Sequence, residues 1–178
     1  MRVVGGEFRG RILQTHGFSG RPTMDRVREA LLNIVTNRID LSTAHVLDLF
    51  AGTGAVGIEF ASWGASHVTL VESSAKHARI IKGNIALLGL QNATTICQDA
   101  LRFARASQGR YGVIFADPPY RMESLPDLPT RLLECNLLEP GGLLIVEHPV
   151  GTQLNGTEGW DIRHYGETAF SIFSQPCA

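Results

Sequence analysis

Two short stretches of this chain hold residue types that could do chemistry. The first is Asp117-Pro118-Pro119-Tyr120. It places a carboxylate beside a backbone that two prolines stiffen and strip of N–H donors. An exocyclic amine on a nucleobase is a poor nucleophile, because its lone pair is delocalised into the ring. Two acceptors that hold its N–H groups localise that pair and aim it. The Asp117 carboxylate and the Pro118 carbonyl supply such acceptors, and Tyr120 supplies a face for stacking, worth about 1–3 kcal/mol in nucleic-acid binders. The set suits delivery of a planar amine to an already activated electrophile. Orientation is then the main requirement, and neither a metal nor a strong general base is needed. Asp117, Pro118, Pro119 and Tyr120 are the expected catalytic residues; a bare Pro-Pro turn is the structural alternative.

The second stretch is Asp48-Leu-Phe50-Ala51-Gly52-Thr53-Gly54-Ala-Val-Gly57. Its glycines let the backbone turn sharply and approach a ligand without a Cβ in the way. By itself it is ambiguous, because Gly52-x-Gly54-x-x-Gly57 also fits the dinucleotide pattern. Glu72 stands where an acceptor for ribose hydroxyls belongs in either case. Two features favour S-adenosyl-L-methionine. Asp48 ends the run before the turn, where a carboxylate can meet an ammonium or sulfonium but would repel a pyrophosphate. Asp99, in Gln98-Asp99-Ala100, stands where class I methyltransferases place an acid for the adenine amino group, although it can equally cap a helix starting at Ala100. The expected cofactor-binding set is Asp48, Phe50, Ala51, Gly52, Thr53, Gly54, Glu72, Ser73, Asp99 and Ala100. Glu72, an acid at a strand end, is not expected in the core.

These residues need elements to hold them. Apolar strand-like runs fall at His45–Leu49, His67–Val71, Ala93–Cys97, Tyr111–Ala116 and Leu143–Glu147. Helical spacing fills most gaps, at Ala55–Trp63, Ala75–Leu88, Ala100–Ala106 and roughly Leu125–Leu133. Strands without clean alternation are expected where helices cover both sheet faces. The pattern predicts an α/β chain: a Rossmann-like, doubly wound, mostly parallel sheet. Trp160–Tyr165 and Thr168–Phe173, joined by Gly166-Glu167, predict an antiparallel hairpin closing a seven-stranded sheet. Residues 1–24 differ. Arg2-Val3-Val4 and Arg11-Ile12-Leu13, broken by glycines, predict a small hairpin followed by a loop. Asp25 is then placed to cap a helix carrying Val27, Leu31, Ile34 and Val35 through about Asn37. The division expected is 1–40, an extension of hairpin, loop and helix, and 41–178, the cofactor-binding domain.

Composition sets the bounds. The chain has 178 residues, 44% of them hydrophobic and 19% charged, an ordinary globular balance. Three cysteines without metal-ligand spacing argue for unpaired thiols in a reducing cytoplasm and against a disulfide scaffold or zinc site. No apolar run reaches the roughly 18 residues of a membrane span, so a cytoplasmic location is expected. The formal charge of −1 hides an asymmetry. Residues 1–38 hold seven arginines against three acids, a balance of +4, while the remainder carries −5. A basic end points to a polyanionic partner. Arg9, Arg11, Arg21, Thr23, Arg26 and Arg28 are the candidate nucleic-acid contacts, with Thr23 and Arg26 alternatively covering the cofactor as a lid. Val27, Leu31 and Ile34 are expected in the core, and His148-Pro149 reads as structural.

Arg2-Val-Val-Gly-Gly-Glu-Phe-Arg9-Gly-Arg11 and Arg21-Pro22-Thr23-Met-Asp25-Arg26-Val-Arg28-Glu29 resemble the start of the RsmD-type 16S ribosomal RNA guanine-N2 methyltransferases. The glycine turn, Asp117–Tyr120 and Tyr165-Gly166-Glu167-Thr168 resemble theirs too. The resemblance runs over nearly the whole chain, although Met122–Leu138 and residues 151–160 carry no signature. It implies an S-adenosyl-L-methionine-dependent enzyme acting on one guanine of 16S rRNA, within the small subunit or an assembly intermediate; separately, a monomer with no metal and no membrane partner is expected. The competing readings are an N6-adenine DNA methyltransferase or other amino-group methyltransferase, a nicotinamide-dependent oxidoreductase and a non-catalytic RNA-binding module. A sequence-specific DNA enzyme would need a target-recognition domain for which 178 residues leave little room. An oxidoreductase leaves Asp117–Tyr120 unexplained.

Overall fold

The computed structural model describes residues 1–16 and 24–177. Five parallel strands, β1 (His45–Leu49), β2 (His67–Glu72), β3 (Ala93–Cys97), β4 (Tyr111–Ala116) and β5 (Leu138–Pro149), join an antiparallel pair, β6 (Asp161–Tyr165) and β7 (Thr168–Ser174). Their order is β3-β2-β1-β4-β5-β7-β6. The chain runs outward from β1 in one direction and then returns to start β4 on its other side. That reversal opens a crevice at the carboxyl ends of β1 and β4, where open α/β sheets hold ligands.

Helices cover both faces. α1 (Asp25–Thr36), α2 (Ala55–Ser62) and α3 (Ala75–Leu88) pack on one, and α4 (Ala100–Ala106) and α5 (Leu128–Leu133) on the other. The strands alternate between the layers. Val46, Val68, Leu70, Val113, Phe115 and Ile145 join the α1–α3 core; Leu47, Leu49, Val71, Ile114, Ala116 and Val146 join the other. With both faces buried, these strands read as continuous apolar runs. No helix among the described residues is long and apolar enough to cross a membrane.

Several element ends shift by a residue or two from the sequence expectation, and three differences have a clear structural cause. β5 begins at Leu138, not Leu143, because the pairing slips between Tyr111↔Leu138 and Val113↔Leu143. Pro140-Gly141-Gly142 lies inside the strand as this irregularity. A Cβ on Gly142 would meet the Glu139 carbonyl oxygen at 2.9 Å, so a glycine is required there. α5 begins at Leu128, because turns occupy 120–127. Asp25 is the first residue of α1 rather than its cap, and Met24 holds the cap position.

The predicted N-terminal hairpin reduces to one bridge, Arg2↔Ile12, supported by Val3 N–H to the Arg11 carbonyl (2.9 Å) and Leu13 N–H to the Met1 carbonyl (2.9 Å). It is fastened to α2 through Glu59, whose carboxylate accepts from Val4 N–H (2.8 Å) and Gly5 N–H (3.3 Å). Arg28 joins the same knot, and here a sequence expectation is corrected. Its side chain is 1% exposed, with Nε donating to Glu59 Oε1 at 3.1 Å and Nη2 to the Arg2 carbonyl and Asp25 Oδ1. Helical spacing puts Arg28 on the buried stripe with Val27, Leu31, Leu32 and Val35. It is an internal ion pair and does not face a nucleic acid.

Candidate active site

The glycine turn between β1 and α2 builds one wall of the crevice. Gly52 and Gly54 take positive φ values of 57° and 77°, and Phe50 does so at 60° without being glycine. Strained backbone of that kind persists where surrounding structure over-determines it. Ala51 N–H donates to the Val71 carbonyl at 3.0 Å and ties the turn to β2. Gly57 serves a different purpose. Its N–H donates to Asp48 Oδ2 at 2.8 Å, and a Cβ there would lie 2.4 Å from the Leu70 side chain. The third glycine lets α2 close on the sheet and hands its amide to Asp48.

Parallel register sets the acids in a row. Asp48 pairs with Leu70 and Phe115, and Phe115 with Ile145. Two residues on, with side chains returning to the same face, come Glu72, Asp117 and Glu147. Four adjacent strands, β2-β1-β4-β5, therefore each bring a carboxylate to one edge. All four line a cleft of about 1270 Å³, larger than the 300–1,000 Å³ typical of a single small-molecule site.

Every expected cofactor residue except Gly54 lines this cleft: Asp48, Phe50, Ala51, Gly52, Thr53, Glu72, Ser73, Asp99 and Ala100. Gly54 lies behind the wall, as the cap of α2. Glu72 is buried, contrary to expectation. Its Oε2 accepts from Gly52 N–H (2.9 Å) and its Oε1 from Ser74 N–H (2.7 Å), so it holds the turn as well as facing the cleft. Asp99 caps α4 by accepting from Arg102 N–H at 2.8 Å while lining the cleft.

Asp117, Pro118, Pro119 and Tyr120 line the same cleft from the end of β4. Tyr120 is exposed, with its hydroxyl 2.9 Å from Thr168 Oγ1 at the start of β7. Burial pushes the Asp48 carboxyl up to about 8, aided by the charges of Asp117 and Glu72 and opposed by the Gly57 amide. Burial also raises Asp117 to about 7. Glu147 rises to about 8, through burial and then the Asp117 charge, against a hydrogen bond from Thr168. Six acids, adding Asp99 and Glu167, face the cleft against Arg26, Arg121 and His77. Three of the six carboxyls are raised by burial, and a cation beside them favours their ionised form, so the cleft suits a cationic ligand better than a pyrophosphate.

Sequence reasoning missed Glu147, and also Met24, His77, Arg121 and the Gly166–Thr168 turn as lining residues. Among the nucleic-acid candidates, Arg9 and Arg11 are exposed on the N-terminal bridge, and Arg26 is exposed at the cleft wall. Arg21 and Thr23 lie outside the described residues. His148 is buried, with Nε2 2.8 Å from Ser171 Oγ and Nδ1 3.0 Å from the Pro149 carbonyl, a structural pairing between β5 and β7.

Sheet order, closing hairpin and cleft at the β1/β4 reversal define a class I methyltransferase fold. The chain belongs to the family described as Conserved hypothetical protein 95, which matches residues 1–174. It is 35% identical to the putative rRNA methyltransferase YlbH of Bacillus subtilis, over 98% of this chain and 99% of that protein. It is 36% identical to ribosomal RNA small subunit methyltransferase D of Escherichia coli, over 98% of this chain and 90% of that one. A solved structure, the putative methyltransferase yhhF from Escherichia coli, superposes with a TM-score of 0.81 at 30% identity, covering 100% and 99% of the two chains. The family resemblance carried by the N-terminal segment and Asp117–Tyr120 holds.

Proposed function

We propose that this protein methylates the exocyclic N2 amine of one guanine in 16S rRNA, using S-adenosyl-L-methionine, in the small subunit or its assembly intermediate. The observation that carries this reading is the single cleft in which the glycine turn and Asp117–Tyr120 meet, lined by carboxylates from four adjacent strands. Relatives named as small-subunit rRNA methyltransferases support the substrate class. Work on a ribosomal RNA also fits a cytoplasmic enzyme.

The cofactor, when bound, supplies a methyl group already activated on a sulfonium. The donor set fits it. Asp48 and Asp117 bring carboxyls that ionise when a cation binds beside them, while Glu72 and Asp99 offer acceptors for ribose hydroxyls and the adenine amine. The Asp117 carboxylate and Pro118 carbonyl hold the two N–H groups of the target amine and direct its lone pair at the methyl. As the C–N bond forms and the methyl–sulfur bond breaks to leave a neutral thioether, Asp117 would take up the proton that the amine sheds and pass it to solvent. Arg9 and Arg11 contact phosphates, and residues 1–40 serve as the RNA-facing extension. Arg26 sits where a lid over the cofactor would close.

Asp117→Ala tests the division of labour. Single-turnover methyl transfer should fall on the order of 100-fold or more, as when one preorganised hydrogen-bond partner is removed from an active site. S-adenosylhomocysteine affinity should change little. Near-normal turnover in a folded Asp117→Ala variant would show Asp117 to be structural.

A further inference from the structure

We propose that Glu147 is the residue that reads the target as guanine, its carboxylate accepting the ring N1–H next to the N2 amine held by Asp117. This rests on the reading above, that the substrate amine is guanine N2.

The placement follows from register. Ala116 pairs with Val146, so Asp117 and Glu147 are neighbours one step beyond the last β4–β5 pair. Both line the cleft. Glu147 Oε2 is a buried oxygen with no hydrogen-bond partner among the described residues. A buried acceptor in that condition costs free energy unless a ligand brings the donor. Thr168 stands beside the group, where its side chain favours the ionised form of Glu147, and the Thr168 hydroxyl oxygen lies 2.9 Å from that of Tyr120. This chain links Glu147 to the far end of the Asp117–Tyr120 motif. The sheet does not need the carboxylate, since β5 pairs with both neighbours through its main chain.

Base chemistry selects the occupant. Beside its exocyclic amine guanine presents a second donor, N1–H. Adenine and cytosine present a ring-nitrogen acceptor in the corresponding place. An unprotonated acceptor next to the one that holds the amine is therefore complementary to guanine and repels the other two. Burial and the nearby Asp117 charge favour a proton on Glu147 in the free protein; two donors on the guanine edge favour its release.

The experiment compares single-turnover methyl transfer to 16S RNA carrying guanine or 2-aminopurine at the methylated position. 2-Aminopurine keeps the N2 amine and has a lone pair at N1. The parent should prefer guanine by roughly tenfold or more, the discrimination expected of a paired base edge. Glu147→Gln preserves volume and can turn its NH2 toward that lone pair, so the preference should collapse toward parity while S-adenosylhomocysteine affinity stays unchanged. A folded Glu147→Gln that keeps the parent's ratio overturns the inference, and so does a parent that accepts 2-aminopurine as readily as guanine. If Glu147→Gln does not fold, Glu147→Asp draws the carboxylate back from the base edge, and a folded Glu147→Asp that keeps the parent's ratio overturns the inference in the same way. A parent that transfers nothing to guanine N2 overturns the underlying reading as well.

Discussion

Asp48 and Gly57 stand nine residues apart in the chain and meet at 2.8 Å, the carboxylate accepting the amide that only a glycine could bring so close. The sequence marks both residues but not their bond. Glycine spacing suggests a ligand cradle, whereas Gly57 serves helix packing and an acid. Glu72 likewise has a double duty that a motif cannot show, because the Gly52 and Ser74 amides reach it only in the fold, whereas the capping role of Asp99 was legible from its place just before Ala100. Glu147 was hidden because no motif surrounds it; it ends an apolar run. A weak signal existed: Asp48, Glu72, Asp117 and Glu147 each stand at or just beside the carboxyl end of a strand. The raised carboxyls also set a pH dependence. Below about pH 7 both Asp48 and Asp117 hold protons in the free protein. A sulfonium cation binds best to the ionised forms, so binding releases protons and affinity rises with pH until these groups are ionised. S-adenosyl-L-methionine should bind at least roughly tenfold more tightly at pH 8 than at pH 6 by calorimetry. S-adenosylhomocysteine, whose sulfur is neutral, should respond less. Equal slopes for the two ligands would remove the charge argument.

At the scale of elements, α1 shows where pattern reading succeeds and where it stops. Its apolar period places Val27, Leu31 and Ile34 in the core; Val27 and Leu31 are buried, whereas Ile34 is only partly buried against that cluster and Val35 takes the inner position. The same period places Arg28 inside, but its charge makes it look like a surface residue. Glu59, thirty-one residues on in α2, pairs with it, and that partner has no sequence signature. The basic balance of residues 1–38 therefore overstates the free positive surface by at least this one arginine. Arg9 and Arg11 remain exposed, and neither lines the cleft. If they neutralise phosphates, each releases condensed counterions. The Arg9→Ala, Arg11→Ala double variant should then flatten the salt dependence of small-subunit or RNA affinity by ~0.7–0.9 log units per arginine. S-adenosylhomocysteine affinity should not change. An unaltered slope with unaltered affinity would return this end of the chain to ordinary solvated surface.

At the scale of the whole molecule, the alternation of strand, turn and helix was legible because each parallel strand needs a crossover. The terminal hairpin was legible because a two-residue Gly166-Glu167 link allows nothing longer. What the pattern left out is the slip in β5, which depends on how Tyr111 and Gly112 pack against Glu139–Gly142 and not on hydrophobic period. The fold brings the methyl-donor wall and the amine-holding wall to one edge, and the central claim is that a guanine N2 amine is delivered there. The direct measurement is transfer of a labelled methyl group from S-adenosyl-L-methionine to naked 16S RNA, small subunits and DNA, followed by digestion to nucleosides. The account predicts label in N2-methylguanosine from the ribosomal substrates and none in the DNA. Label in N6-methyladenosine, or no transfer to any ribosomal substrate, would contradict it.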